Sequence, residues 1–457
     1  MKEILTKQVQ RLQAARNGYA VILEDKLKEH SVRPEHLLCF YKEIRRNTSN
    51  PNPDDAIAYG NRELLPLDKP FTPEFAYVEC ATKQSPSQTF HKQFLLNVVV
   101  KWDAEERCRN TKYTTPHNLS ILVLGLDSVS YLNLDRHLPG TSQFMRRNLN
   151  AFELRGYNKI GDNTYPNLHA LLTGLKYAET QKYVSEGFYD NLTSRIIWHE
   201  YGKRGYFTMF SEDWPVVRHF SSLHARYADK IFLTHLQLLH ASGTLDNMVL
   251  IFLSDHGLRF GDLRSTYIGK FEDRQPFAFV AFPQWFLEQN PNAAGNLRVN
   301  QFRLTTHFDV HAMLAELLDY PNIERPQTTY GRSLLHEIPE GRTCADAHIG
   351  PHWCVCSVRS DVTVTSTLAL AMADKLVSWI NRLVARATRK CAEYHLLKVM
   401  DVTAIHGKPD DHAHNASNFY WITIQLSPGN AVFEGTVHVI ADAMTVLSDT
   451  SNMSGGE

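Results

Sequence analysis

The chain has 457 residues, of which 43% are hydrophobic and 21% charged, with 48 basic against 49 acidic residues for a formal net charge of −1. This composition excludes a disordered chain, and only 23 glycines exclude a collagen-like one. The balanced charge leaves no global attraction for nucleic acid or an anionic membrane, and no apolar run approaches the roughly 18 residues that a transmembrane segment needs.

The start, MKEILTKQVQRLQAARNG, is a charged amphipathic stretch without the apolar core of a secretory leader. Residues 1–60 read as a helix followed by a polar linker, RRNTSNPNPDD. FAYVEC and FLLNVVVKW are short strand candidates. From there the pattern alternates. ILVLGL (121–126) is a continuous apolar run, expected to be a strand buried on both faces. LPGTSQFMRRNLN reads as helix, AFELRGY as strand and PNLHALLTG as a helix with proline near its start. YFTMFS (206–211) reads as a strand, 225–242 as a helix closed by Gly243, and MVLIFLS (248–254) as a second fully buried strand. FAFVAFP and the helix HFDVHAMLAELLD (307–319) complete a core over 61–340. Strands alternating with helices predict an α/β fold with a mostly parallel sheet and helices on both faces. A helix near 364–388, then LLKVMDV and YWITIQL, make 341–457 a small cysteine-containing α+β tail.

Cys39, Cys80 and Cys108 lie near the N-terminus, Cys344, Cys354, Cys356 and Cys391 near the C-terminus, and none lies between Cys108 and Cys344. Extracellular disulfides, free cytosolic thiols and a zinc site built on the HWCVC pair are the three readings. The last four cysteines alone allow three complete pairings. Sequons at Asn47, Asn118, Asn191, Asn415 and Asn452 are compatible with a secreted glycoprotein.

In an open α/β sheet, ligands bind beyond the carboxyl ends of the strands. ILVLGL runs into Asp127-Ser128, and MVLIFLS into Asp255-His256-Gly257. A carboxylate at the mouth of a buried strand is expensive to desolvate unless a cation neutralises it. Two carboxylates and an imidazole suit zinc or manganese, although Asp127 alone could equally cap a helix. In GDNTYPNLHALLTG, Thr164 stands at a helix start, where it is either a cap or a hydroxyl that a metal can ionise.

The order strand-Asp, Thr-x-Pro at a helix start, strand-Ser-Asp-His-Gly resembles the alkaline phosphatase-like superfamily. More closely, LVLGLDSVSYLNLDRHLPGT, ELRGYNKIGDNTYPNLHALLTG, TMFSED, LDNMVLIFLSDHGLRFGDLRSTYIGKFEDRQPF, RLTTHFDVHAMLAELLD and CADAHIGPHWCVC are similar to DUF229, a family of sulfatase-like animal proteins. The resemblance covers roughly residues 70–400. It implies that Asp127, Asp255 and His256 are metal ligands and that Thr164 is nucleophile and ligand. Asn163, Asn167 and Arg259 are either donors to non-bridging oxygens or structural bonds of the turn. Sulfatases of this fold carry Cys/Ser-x-Pro-x-Arg, whereas this chain has Thr164-Tyr165-Pro166-Asn167-Leu168. The expectation is therefore a phosphoesterase or phosphotransferase acting on a phosphate-ester small molecule or a lipid or glycan headgroup.

Two-metal relatives hold a second ion with a further Asp and His on a segment after SED. Here only about 30 residues separate Asp213 from Leu245, and the core is shortened between about 214 and 225. His224, His307 and His311 are the candidates for a distal imidazole, with His219 behind them, against ordinary surface or core placement as the alternative for each. The alternative reading is an inactive secreted sulfatase-like glycoprotein with a binding role; a true sulfatase comes last. The family's leader or membrane anchor and the cysteine-rich tail imply an extracellular or secretory-lumen location.

Overall fold

A computed structural model describes residues 13–16, 19–22, 27, 33–51, 56–97, 99–111, 116–180, 191–210, 225–321, 328–385, 392–406, 418–440 and 443–452. The chain divides into two compact units, one of residues 1–113 with 181–208, the other of 114–180 with 209–457.

In the first unit, β1 (Gln13–Arg16) and β2 (Tyr19–Ile22) form a hairpin. A second, antiparallel sheet contains β3 (Leu37–Arg46), β4 (Ile57–Tyr59), β5 (Glu63–Leu64), β6 (Phe75–Thr82) and β7 (His91–Leu96). The described part of 1–60 is thus mainly strand, where the sequence pattern points to helix and linker. In LLCFYKEI, Leu37 and Cys39 alternate inward to join Val78, Cys80 and Leu95 in one core. A run this short carries no period that separates strand from helix. Cys39 and Cys80 stand directly opposite each other and are joined by a disulfide.

The second unit is built on a four-stranded sheet in the order β8 (Ser120–Gly125), β11 (Met248–Leu253), β12 (Ala278–Ala281), β9 (Phe152–Glu153). The α/β class holds, but only β8–β11 is parallel in this sheet; β11–β12 and β12–β9 are antiparallel. β10 (Gly156–Tyr157) pairs in parallel with β13 (Leu304–Thr305) alongside. β11 is buried on both faces, as its apolar run predicts. β8 is not. It has one neighbour among the described residues and Val123 is 41% exposed, because burial of an apolar run depends on what packs beside it. Residues 206–210 form no strand, and Phe207, Met209 and Phe210 are exposed.

Residues 341–457 belong to this same unit. The tail is an antiparallel meander of β14 (Val358–Asp361), β15 (His395–His406), β16 (Asn418–Ser427), β17 (Ala431–Ile440) and β18 (Ala443–Asn452). The helix Thr367–Val384 packs Met372, Ala373 and Leu376 against Val402, Ile422 and Val437 on this sheet. From β17, Glu434 is fully buried against Arg264, Arg274 and Lys270. Cys344 and Cys354 form a disulfide, which removes the zinc reading of the HWCVC pair; Cys108 forms no disulfide among the described residues. Cys391, His219, His224 and Asn415 lie outside the described residues.

Candidate metal centre and nucleophile

The parallel register of β8 on β11 sets Gly125 opposite Leu253, and Leu126 continues the ladder by donating to the Leu253 carbonyl. Both strands therefore deliver their next residues to one edge of the sheet, each reaching an aspartate two positions on. Asp127, Asp255 and His256 meet there, with one ligand atom from each within 4.8 Å of the others. Asp127 caps no helix, since Ser130 accepts the N3 amide of the helix Tyr131–His137 instead.

The imidazole is oriented by its own backbone. His256 Nδ1 is 2.8 Å from the Gly257 carbonyl, so it carries the proton and leaves the Nε2 lone pair toward the carboxylates. Nε2 lies 3.5 Å from Asp127 Oδ1 and 3.3 Å from Asp255 Oδ2. Gly257 is required by close approach, because a Cβ there would fall 1.8 Å from the Glu272 carbonyl oxygen. Ser128 sits at φ 62°, a conformation that costs a non-glycine residue about 1 kcal/mol or more. In it the Ser128 amide donates to Asp255 Oδ1 at 3.1 Å and its hydroxyl to Asp127 Oδ1 at 3.0 Å.

Thr164 is the first residue of the helix Thr164–Thr173, and its hydroxyl does not cap that helix. Thr164 Oγ1 lies 3.3 Å from Asp127 Oδ1 and 3.4 Å from His256 Nε2. The preceding turn is held by Asn167, for which the sequence leaves open a substrate contact or a structural bond of the turn. Asn167 is fully buried; its Oδ1 accepts from the Ile160 and Gly161 amides and its Nδ2 donates to the Gly161 and Asn163 carbonyls. With every amide position occupied, Asn167 shapes the turn and has no donor left for a ligand. Asn163 is exposed and makes no capping bond. Arg259 Nη1 donates to Asp162 Oδ2 at 3.1 Å, two residues before Thr164, while its buried Nε has no partner among the described residues. Lys159, fully buried, donates to the Asp162 carbonyl at 3.1 Å and to Asp273 at 2.6 Å. Nothing in the sequence around Lys159 marks it, because its counter-ion comes from a distant helix.

The late-helix histidines are not in this ligand group. His311 Nδ1 donates to the Leu171 carbonyl at 2.9 Å, and burial pushes its pKa down to about 4. It packs against Gly174, where a Cβ would lie 2.5 Å from the ring, so its role is structural. His307 is also fully buried and outside the cluster. Among the described residues there is one such group of ligands, not two.

The donor set fits a divalent ion. It offers two hard oxygens and one borderline nitrogen, and the buried Asp255 Oδ2 has no hydrogen-bond partner among the described residues. Burial and then the Asp255 charge push Asp127 up to about 6. For Asp255, burial is outweighed by His256, the Thr164 hydroxyl and the Ser128 amide, which hold it below the usual range. Asp127 must lose its proton to bind a cation, so ion affinity is expected to be level above about pH 6 and to fall up to roughly tenfold per unit below it. In the ion-free protein the raised pKa acts the other way: Asp127 contributes stability that is full below its unfolded pKa and lost as pH rises through about 6. Calorimetric titrations and ion-free melting curves between pH 5 and 8 check both, and Asp127→Asn should flatten each.

The family model described as "Protein of unknown function (DUF229)" matches residues 3–227 and 218–400, so the chain belongs to the DUF229 family. No curated protein matches it. Among solved structures, it is similar to the lipoteichoic acid synthase LtaP from Listeria monocytogenes, at 11% identity over 52% of this chain and 82% of that one, with a TM-score of 0.29. The C-terminal periplasmic domain of EcEptC from Escherichia coli, in complex with Zn, is 10% identical over 51% and 90%, with a TM-score of 0.33. A protein in the alkaline phosphatase superfamily from Vibrio parahaemolyticus is 10% identical over 77% and 91%, with a TM-score of 0.29.

Proposed function

We propose that this DUF229 chain is a phosphoesterase or phosphotransferase that depends on one divalent ion, zinc or manganese, and uses Thr164 as its nucleophile. The observation that carries the reading is the hydroxyl of Thr164 standing at 3.3 and 3.4 Å from Asp127 and His256, two of the three candidate ligands. An ion held by Asp127, Asp255 and His256 supplies Lewis acidity and charge neutralisation at a neighbouring oxygen. The remaining work belongs to the chain. Thr164 Oγ1 forms a bond to phosphorus as the ester P–O bond breaks, its proton passing to solvent and the leaving alkoxide taking one up. Water or an acceptor alcohol then cleaves the Oγ1–P bond of the phospho-threonine, and Thr164 recovers its proton. Asn163, exposed beside the nucleophile, and Arg259, with an uncommitted Nε–H, are the donors for non-bridging oxygens. The substrate is a phosphate ester of a small molecule or of a lipid or glycan headgroup. The absence of Cys or Ser at position 164 speaks against sulfate esters.

The two disulfides support an oxidising compartment, the secretory lumen or the cell exterior. Among the described residues no helix is long and apolar enough to cross a membrane.

The test is metal content per chain by elemental mass spectrometry on protein purified without chelator, beside Asp255→Asn. About one equivalent of zinc or manganese is expected in the native protein and less than a tenth of that in the variant. Chromogenic phosphodiester hydrolysis should fall in parallel. A folded native protein that holds no ion and turns nothing over would replace this reading with that of an inactive binding glycoprotein.

A further inference from the structure

Where the ladder between β8 and β11 ends, the backbone amides change partners. The Leu126 amide still donates to the Leu253 carbonyl at 2.9 Å. The amides of Ser128 and Val129 go instead to side chains of the facing loop, Ser128 N to Asp255 Oδ1 at 3.1 Å and Val129 N to Ser254 Oγ at 2.9 Å. Ser254 is fully buried and donates its own hydroxyl to the His256 carbonyl at 2.9 Å, so the two ligand-bearing loops are laced together. A residue in the left-handed region lets successive amides converge on one side of the chain, and Ser128, at φ 62°, is that residue here.

The turn by itself asks for glycine, which takes a positive φ without the strain that a Cβ brings. What glycine lacks is the hydroxyl. Ser128 Oγ donates to Asp127 Oδ1 at 3.0 Å and lies 3.5 Å from His256 Nδ1. One residue thus reaches all three members of the ligand group, with its amide on one carboxylate and its hydroxyl on the other. Strained backbone persists where the surrounding structure holds it, and it clusters at sites that use it. Groups that hydrogen-bond ligating carboxylates fix their orientation, and loss of one typically weakens metal affinity about 10–100-fold.

We infer that Ser128 is a positioning residue for both carboxylates of the ligand group: its left-handed backbone turns an amide onto Asp255 while its hydroxyl holds Asp127, which sets the pair for a shared divalent ion. The strain of the turn is kept because the side chain is needed there. The inference rests on the one-ion reading above.

The test compares native protein with Ser128→Gly, Ser128→Ala and Ser128→Thr, each stripped with chelator, titrated calorimetrically with Zn2+ and with Mn2+, and melted without ion. Glycine removes the strain and the hydroxyl together; it should bind at least about tenfold more weakly while melting no lower than native. Alanine removes only the hydroxyl; it should lose the same affinity and melt below the glycine variant. Threonine keeps the hydroxyl but puts a β-branched residue in the left-handed region; it should melt lowest of the four and still bind within about threefold of native. A residue that served the fold alone would show affinity and melting temperature falling together. That pattern, or native affinity in the glycine and alanine variants, overturns this inference and leaves the ion site standing; should threonine fail to fold, the glycine and alanine variants decide it. Native protein that binds neither ion overturns the ion site itself, and this inference with it.

Discussion

Thr164→Ala is expected to abolish turnover of a phosphodiester, by about 10⁴-fold or more, while leaving fold and bound ion in place. The magnitude follows from removing the atom that forms the covalent bond, which in nucleophilic enzymes costs most of the catalytic advantage. The selectivity follows from the local structure. The turn before Thr164 is tied by Asn167 and by Lys159 on the Asp162 carbonyl, and neither contact uses the threonine side chain. Thr164 also contributes no capping bond to its helix. Asp255 loses one favourable interaction with the hydroxyl, so a small weakening of ion binding is expected, well short of release. Thr164→Ser should retain a substantial part of the activity, since it keeps an oxygen at the same position. Elemental analysis, circular dichroism and steady-state kinetics on the three proteins decide the matter. An alanine variant that still turns over would remove Thr164 as nucleophile and leave water attack as the mechanism.

The second large effect lies far from the metal centre in sequence. Glu434→Ala should lower the stability of the second unit by about 3–5 kcal/mol, read from urea denaturation, because it strands buried positive charge. Glu434 Oε1 lies 2.6 Å from Arg274 Nη2 and 3.0 Å from Arg264 Nη2, and all three side chains are at most 1% exposed. Burial alone would push the carboxyl up; Arg264, Arg274 and Lys270 reverse this and hold it well below the usual carboxylate range. Arg264 and Arg274 also flank Asp273, the partner of Lys159, so the same network reaches the carbonyl of Asp162, two residues before the proposed nucleophile Thr164. The variant should therefore lose turnover before it loses the ion. Replacing both Glu434 and Arg274 by methionine should recover part of the lost stability, since a broken buried pair costs more than an absent one. If Glu434→Ala unfolds at the native denaturant midpoint, the network adds nothing net to the fold.

Much of the centre is legible in the chain because its signals are local. An apolar run ending in Asp, another ending in Asp-His-Gly, and a hydroxyl at the start of an apolar helix each put an unlikely residue at a strand or helix terminus, where backbone direction is already set. The family resemblance rests on those same stretches. The reading of β11 as fully buried succeeds because both its neighbours, β8 and β12, are in place. The identical logic fails for β8, whose run is as apolar, because exposure is a property of the neighbours and not of the strand. It fails again at LLCFYKEI, too short to show a period, and at YFTMFS, where residues of high β-propensity form no strand through 206–210. Asn167 stays open between two roles in the sequence for a related reason: a side-chain amide next to a candidate nucleophile looks the same whether its bonds go to ligand or to its own turn.

The sequence by itself determined the α/β class, the family and the choice of Asp127, Thr164, Asp255 and His256 as candidates, since those depend on short-range pattern and on chemistry carried by single residues. Only the tertiary structure decided that the sheet is mixed, which cysteines pair, that Asn167 is spent on the turn, and that His307 is fully buried outside the ligand group. It alone also placed Glu434 against Arg274, 160 residues earlier in the chain. Each of these is set by long-range closure, in which a polar group's partner is whatever the packed fold brings to it, and no local rule of spacing or propensity names that partner.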